Sequence, residues 1–347
     1  MNDNIHYDGT RLLSLMDING KKPEIYIASS NRTGGKTTYF NRFAVNGYKN
    51  RKEKFMLIYR YKYEIQDVAE KFFKDINALF FPGDRMTEKT KANGIYKELF
   101  LNDFSCGYAV CLSCADAIKK VSHELTDTSK MLFDEFQSEQ NRYLPGEIEK
   151  LLSIHTSVAR GRGQMVRYVP IYMISNPVSL LNPYYAALGI SERLNINTRF
   201  LRGDGFVLEQ NINENAKNAQ NESAFNRAFS KSKYTEYAAQ GIYLNDNKAF
   251  IEKPKGRSRY ICTLKYNDTN FGVREFADLG IIYCDDRPDL SHPYKVSITT
   301  EDHNINYVML KRNDMLIYAL RDYFEKGCFR FKDLKSKECI LKAVSYY

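Results

Sequence analysis

Residues 25–38 read IYIASSNRTGGKTT: an apolar run, a turn holding two glycines, then Lys36 followed by Thr37 and Thr38. A lysine behind a glycine-bearing turn, with a hydroxyl residue next to it, is the arrangement that folds backbone N–H groups round a phosphate chain and brings an ammonium to its β- and γ-oxygens. On the pattern GxxxxGK[ST], Gly35, Lys36 and Thr37 fit, and Ser30 stands at the first glycine position. Asn31, Arg32, Thr33 and Gly34 fill the turn. Glycines 34 and 35 are expected to take the positive φ that such a loop needs. Lys36 is expected on the phosphates and Thr37 on a Mg²⁺ ion, with the phosphates at the positive end of the following helix. Arg32 is a further cation, to contact phosphate or to sense it.

A second segment, MLFDEF at 131–136, is three apolar residues followed by two acids. A strand ending this way puts Asp134 where it can hold Mg²⁺ and Glu135 where it can polarise an attacking water. The interval from Lys36 to Asp134 suits an ATPase with an additional strand between the two motifs. Asn176, after Ile174 and Ser175, sits at the tip of a further apolar run, where a γ-phosphate sensor or a simple Asn-Pro turn is expected. Arg160 and Arg162, in Val158-Ala-Arg160-Gly-Arg162-Gly, read as a structural loop or as an arginine finger delivered to a neighbouring subunit's ATP. Lys119 and Lys120 read on chemistry alone as a solvated pair.

The elements that must position these residues alternate. Ile25–Ala28, Phe55–Tyr59, Tyr108–Leu112, Met131–Phe133 and Val169–Ile174 read as buried strands, with helices at 64–73 and 147–158. Such alternation predicts an α/β fold on a parallel sheet covered on both faces. Composition shifts near residue 205 to an Asn-, Ala-, Gln- and Ser-rich stretch, read as a helical linker. Strands then follow at 249–252, 259–266, 271–276 and 280–284. The expected domains are 1–205, a P-loop ATPase; 206–246, the linker; and 247–347, a second α/β domain. Hydrophobic residues are 43% of the chain, enough for a sizeable core, and no apolar run approaches the roughly 20 residues of a membrane span. The N-terminus has no secretory pattern. Lys plus Arg number 51 against 42 acids, a net charge of +9 that suits a polyanionic partner such as nucleic acid. Seven scattered cysteines fit a reducing compartment, with Cys111 and Cys114 as ordinary buried thiols.

Several segments together resemble the DNA-packaging (encapsidation) ATPases of small protein-primed tailed bacteriophages. They are SNRTGGKT, LIYRYKYE, FDEF, ARGR, SNPVSLLNPYY, AFIEK and KGCFRFKDL, in the family's order over nearly the whole chain. The resemblance implies an ATP- and Mg²⁺-dependent ring, usually pentameric, that pushes double-stranded DNA into a preformed capsid. It would work in the host cytoplasm, transiently docked on the procapsid portal, through a structural packaging RNA where the virus has one, and be absent from or minor in the mature virion. By the same resemblance Lys36 is the loop lysine, Asp134 the metal-holding acid and Glu135 the catalytic glutamate. Arg160 matches a trans-acting finger with Arg162 beside it, and Lys119, or Lys120, a second trans-acting cation. Lys62 matches a DNA-channel lysine, and Gln140 and Arg142 are candidates for a second channel position. The C-terminal domain would be RNase H-like with its nuclease lost. Lys265 stands where an acid would be wanted, and Asp285, Asp286 and Asp289 read as solvated turn residues. Phe329 and Phe331 alternate with Arg330 and Lys332, so a strand there would have one apolar and one basic face, for nucleic acid or the portal. Competing readings are a helicase or other nucleic-acid remodeller, a terminase-like nuclease, and a basic nucleic-acid-binding protein without turnover.

Overall fold

The structure, a computed structural model, describes residues 7–139, 142–160, 165–179, 182–190, 193–194, 198–211, 217–218, 222–228, 251–326 and 328–344. The chain falls into two compact units. One comprises the residues up to Val178 with Leu194–Leu244, the other Ser179–Arg193 with Asn245–Tyr347.

In the first unit the strands are β1 (Ile25–Ser30), β2 (Lys54–Tyr59), β3 (Met86–Lys91), β4 (Tyr96–Leu101), β5 (Phe104–Cys111), β6 (Thr128–Asp134), β7 (Ile171–Ser175), β8 (Phe200–Gly203) and β9 (Phe206–Asn211). The helices that matter to the site are α1 (Thr10–Ser14), α2 (Lys36–Arg51), α3 (Val68–Phe80), α4 (Ala115–Val121) and α5 (Glu147–Ala159). The sheet order is β3-β4-β5-β2-β6-β7-β1-β9-β8. From β5 to β9 all neighbours are parallel. These strands are covered on both faces, which is why they read as unbroken apolar runs. At Gly107 a Cβ would stand 2.3 Å from the Phe55 carbonyl oxygen, so β5 can approach β2 only with glycine there.

Three strands run against the expected all-parallel pattern. β3, β4 and β8 are antiparallel to their neighbours. Their turns use left-handed residues: Asn102 and Asp103 at φ 49 and 68, Ala92 and Asn93 at φ 47 and 55, and Gly205 at φ 72. Such residues match the twist of a tight hairpin. β9 also corrects the expected domain boundary: it pairs with β1 over Ile25–Ser30, so the ATPase sheet runs on to Asn211 and no linker begins at 206. The helix expected from Glu64 starts only at Val68, after a 3₁₀ turn at Lys62–Ile65. It presents Val68, Ala69, Phe72, Phe73 and Ile76 to the core, on one face at helical spacing.

The second unit carries β10 (Arg259–Tyr266), β11 (Thr269–Phe276), β12 (Ile281–Asp285), β13 (Lys295–Ser297), β14 (Val308–Met309) and β15 (Phe329–Phe331), in the order β14-β13-β10-β11-β12-β15. β10, β11 and β12 form an antiparallel meander, and β13 and β14 add parallel to β10. That is the strand order expected of an RNase H-like domain, with β15 added at the far edge. Phe329 and Phe331 face the core and Arg330 is only half-buried, the alternation that a strand imposes. Of the strand expected at 249–252, residues 249–250 lie outside the described residues. Ile251 and Glu252 are not in a strand, although the Ile251 N–H donates to Phe331 O at 3.0 Å. Helices at Asp314–Glu325 and Leu334–Val344 close this core.

All seven cysteines are free thiols. Cys106, Cys111, Cys262, Cys284 and Cys339 are buried, and burial pushes Cys106, Cys111 and Cys262 up to about 12. Among the described residues no helix is long and apolar enough to cross a membrane.

Candidate active site

In a parallel α/β sheet, ligands bind where the strands end at their carboxyl edge. β1, β7 and β6 are level there: Ala28 stands opposite Ile174, and Ile174 opposite Asp134. The phosphate loop, Asn176 and the Asp134-Glu135 pair therefore emerge side by side, with β7 as the additional strand between the two motifs.

The loop's left-handed residues are Thr33 (φ 61) and Gly35 (φ 86); Gly34 is not among them, which corrects the expectation for that glycine. Gly35 caps α2, whose Phe40, Ala44, Val45 and Tyr48 bury one face against the sheet. The Lys36 ammonium is buried and donates to Ser30 O (2.7 Å), Ser30 Oγ (2.9 Å) and Asn31 O (3.0 Å), and more weakly to Asn176 Oδ1 (3.4 Å). Ser30 thus has a use at the first glycine position: both its oxygens hold the lysine. Arg32 pairs with Glu139, a partner that the sequence did not reveal.

Thr37 Oγ1 donates to Asp134 Oδ2 at 2.7 Å, so a hydroxyl and a buried carboxylate share one point beside the loop. Burial raises the Asp134 carboxyl, and Thr37, the Glu135 N–H and Lys36 oppose that rise. A hard cation takes oxygen ligands of this kind together with phosphate oxygens, so Thr37 and Asp134 fit Mg²⁺. Glu135 is raised too, by burial and then by Asp134 and Glu139.

Glu135 has a left-handed backbone (φ 54), which costs a non-glycine residue roughly 1–2 kcal/mol. It is held from both sides. Its N–H donates to Asp134 Oδ1 (2.9 Å), and the Arg60 guanidinium donates to Glu135 O (3.4 Å) and Phe136 O (2.7 Å). Arg60, read as part of a basic stretch, is in fact buried. It forms a forked pair with Glu147 at 3.0–3.1 Å, at the start of α5. Breaking such a pair typically costs about 3–5 kcal/mol. Only the position of Arg60 at a strand end hinted at this role.

Lys36 makes ligand binding pH-dependent. Burial lowers its ammonium to about 8, with Asp134 opposing and Arg32 assisting. A polyphosphate beside it favours the charged form. Near pH 8.5, ATP binding should therefore take up a proton, and affinity should fall as pH rises above 8, by up to about tenfold per unit. Below pH 7 the ammonium is already charged and its contribution to uptake vanishes. Calorimetry in two buffers of different ionisation enthalpy reads this directly; equal heats at pH 8.5 would refute it.

The other expected site residues lie apart from the loop. Lys62 is exposed at the head of the 3₁₀ turn, between Tyr61 and Tyr63, whose rings stack at 5.5 Å. Lys119, 3.5 Å from Asp116, and Lys120 are exposed on α4. Arg142 is exposed, its N–H donating to Ser138 Oγ at 3.1 Å. Arg160 is exposed at the end of α5 and makes no ion pair among the described residues. Arg162 and Gln140 lie outside the described residues.

The carboxylates of the second unit do not converge. Asp285 is buried and paired with Arg274, which corrects its reading as a solvated turn residue. Asp286 pairs with Lys332 at 2.5 Å, Asp289 accepts from Ser291, and Lys265 lies 3.2 Å from Asp268.

The sheet order and this edge define a P-loop ATPase of the additional-strand class. The chain belongs to the podovirus DNA encapsidation protein (Gp16) family, whose model matches residues 1–344, and is a viral genome-packaging ATPase. It is 26% identical to the DNA packaging protein of Bacillus phage phi29 over 301 residues, 86% of each chain. To that of Bacillus phage B103 it is 24% identical over 303 residues, 86% of this chain and 89% of the other. Its fold matches a chain of the bacteriophage phi29 genome packaging motor assembly (TM-score 0.60, 23% identity, 98% and 99% covered). It also matches the phi28 gp11 DNA packaging motor (TM-score 0.63, 15% identity, 99% of both chains).

Proposed function

We propose that this chain hydrolyses ATP to drive double-stranded DNA into a preformed capsid, as a homo-oligomeric ring, a pentamer by family resemblance, docked at the portal in the host cytoplasm. One observation supports a ring most strongly. Arg160 lies at the wrong end of the sheet to serve its own phosphate loop. Glu147, where α5 starts, pairs with Arg60 beside Glu135, and the helix then runs its whole length away from that edge. Thirteen helical residues span about 20 Å. An arginine side chain cannot cover that distance, so a finger at Arg160 serves another copy.

In this reading the loop's N–H groups and Lys36 bind the phosphates and Asn176 orients the γ-phosphate or the water. Glu135 accepts the proton of the attacking water. Thr37 and Asp134 would hold Mg²⁺, which supplies charge neutralisation along the phosphates. The ATPase domain extends to Asn211, and a linker joins it to a C-terminal domain that contacts nucleic acid, a structural RNA where present, or the portal, without cutting. The paired Asp285 and the lysine at 265 disfavour a nuclease, which needs several converging carboxylates.

A translocating motor must grip any sequence, so its DNA contacts are phosphate-directed. ATP hydrolysis should rise on adding double-stranded DNA and procapsid. Lys62→Ala should lose that stimulation and its packaging velocity while basal hydrolysis persists. Wild-type packaging by Lys62→Ala would remove Lys62 from the DNA path, and hydrolysis indifferent to DNA and procapsid would overturn the motor reading.

A further inference from the structure

The end of α5 is tied down by one side chain with no role so far. The N–H of Arg167 donates to Ala159 O at 2.8 Å, so the segment between them leaves and returns at one point. Its guanidinium donates from Nη2 to Val158 O (2.7 Å) and Thr126 O (2.6 Å), and from Nη1 to Thr128 O (3.3 Å). Val158 belongs to the last turn of α5. Thr126 and Thr128 belong to the connection that leads from α4 into β6. One cation therefore joins the helix that ends at Arg160 to the chain leaving the helix that carries Lys119.

This joint is firm for two reasons. Its acceptors are main-chain carbonyls, placed by a helix end and a strand start. The charge also sits where the helix dipole is negative. A planar guanidinium can serve three such acceptors at once; a lysine ammonium is a point charge on a flexible stem and cannot hold their mutual angle. Thr128 opens β6 and Asp134 closes it, six residues on. At about 3.3 Å per residue, the joint lies roughly 20 Å from the metal-holding acid of its own chain.

We infer that Arg167 is a positioning residue for hydrolysis across the subunit boundary: it fixes the Arg160 and Lys119 elements as one rigid edge that meets the ATP of the neighbouring copy. The inference rests on the proposal that Arg160 acts in trans. Arg167 is buried among carbonyls and does not itself meet the nucleotide; its effect passes through Arg160.

The test uses full-length chains and mixed rings. Arg167→Ala should bind a fluorescent ADP analogue with wild-type affinity. Its kcat should fall at least tenfold with KM unchanged, and Arg167→Lys should fall between it and wild type. Mixed with Lys36→Ala, which has a dead loop but an intact finger, Arg167→Ala should regain activity, because its sound loop can be served by the partner's finger. Mixed with Arg160→Ala it should regain none, since neither chain offers a placed finger. Recovery with both partners or with neither, or a raised KM at unchanged kcat, would overturn the inference. The control mixture of Lys36→Ala with Arg160→Ala tests the underlying reading separately: no recovery there removes the trans finger itself. Should Arg167→Ala lose its fold, and ADP binding with it, Arg167→Lys decides by the same two mixtures.

Discussion

Glu135→Gln should bind ATP nearly as tightly as the wild type and turn it over about 10²–10⁴-fold more slowly, the usual worth of a positioned general base. The amide keeps the side chain's size and leaves Lys36, Thr37 and Asp134 in place, so only the proton acceptor is lost. The backbone bonds that hold residue 135 in its left-handed conformation, from Arg60 and to Asp134, are main-chain bonds and survive the change. Lys36→Ala should fail differently. The ammonium bridges Ser30, Asn31 and Asn176, so its removal takes away the phosphate contact and also unties the loop. ATP affinity should fall along with turnover. Filter binding of labelled ATP separates the two: trapped nucleotide on Glu135→Gln, little on Lys36→Ala. Near wild-type hydrolysis by Glu135→Gln would show that the water is activated elsewhere.

Arg160→Ala should lose about 10³–10⁵ in turnover, the range seen when a finger is withheld from a transferring phosphoryl group. Its nucleotide affinity should hardly change, because the residue lies far from its own loop. The same geometry makes wild-type activity depend on assembly. Specific activity should climb with protein concentration as neighbours come together, then level off. A wild-type enzyme whose specific activity is flat from nanomolar to micromolar concentration would be hydrolysing ATP without a neighbour, and Arg160 would need another role.

The chemistry-bearing residues were legible because their spacing is local. Ser30 to Thr37 lie within one turn, and Asp134 and Glu135 follow an apolar strand, so pattern alone placed them on loop and strand end. What the sequence hid was pairing at long range. Arg60 and Glu147 are 87 residues apart, and Arg32 and Glu139 107 apart, and each looks solvated until the sheet brings its partner. The antiparallel strands are a different case. Asn93-Gly94, Asn102-Asp103 and Asp204-Gly205 are short-range hairpin signals. They were passed over because the polar, half-buried β3 lacks the apolar run by which the central strands declare themselves. β9 was misplaced for a related reason. A shift in composition was taken as a boundary, whereas the β1 edge still required a strand to cover it.

The thiols have a practical consequence. Five of the seven are sealed in the two cores, where burial keeps them protonated and out of reach of alkylating reagents. Cys114, ahead of α4, and Cys328, ahead of β15, are the two that are partly exposed, and they belong to different compact units. The natural sequence therefore already carries one addressable attachment point on each unit. A donor and an acceptor dye placed there would report on how the ATPase and C-terminal units move against each other during a turnover, with no engineered cysteine introduced.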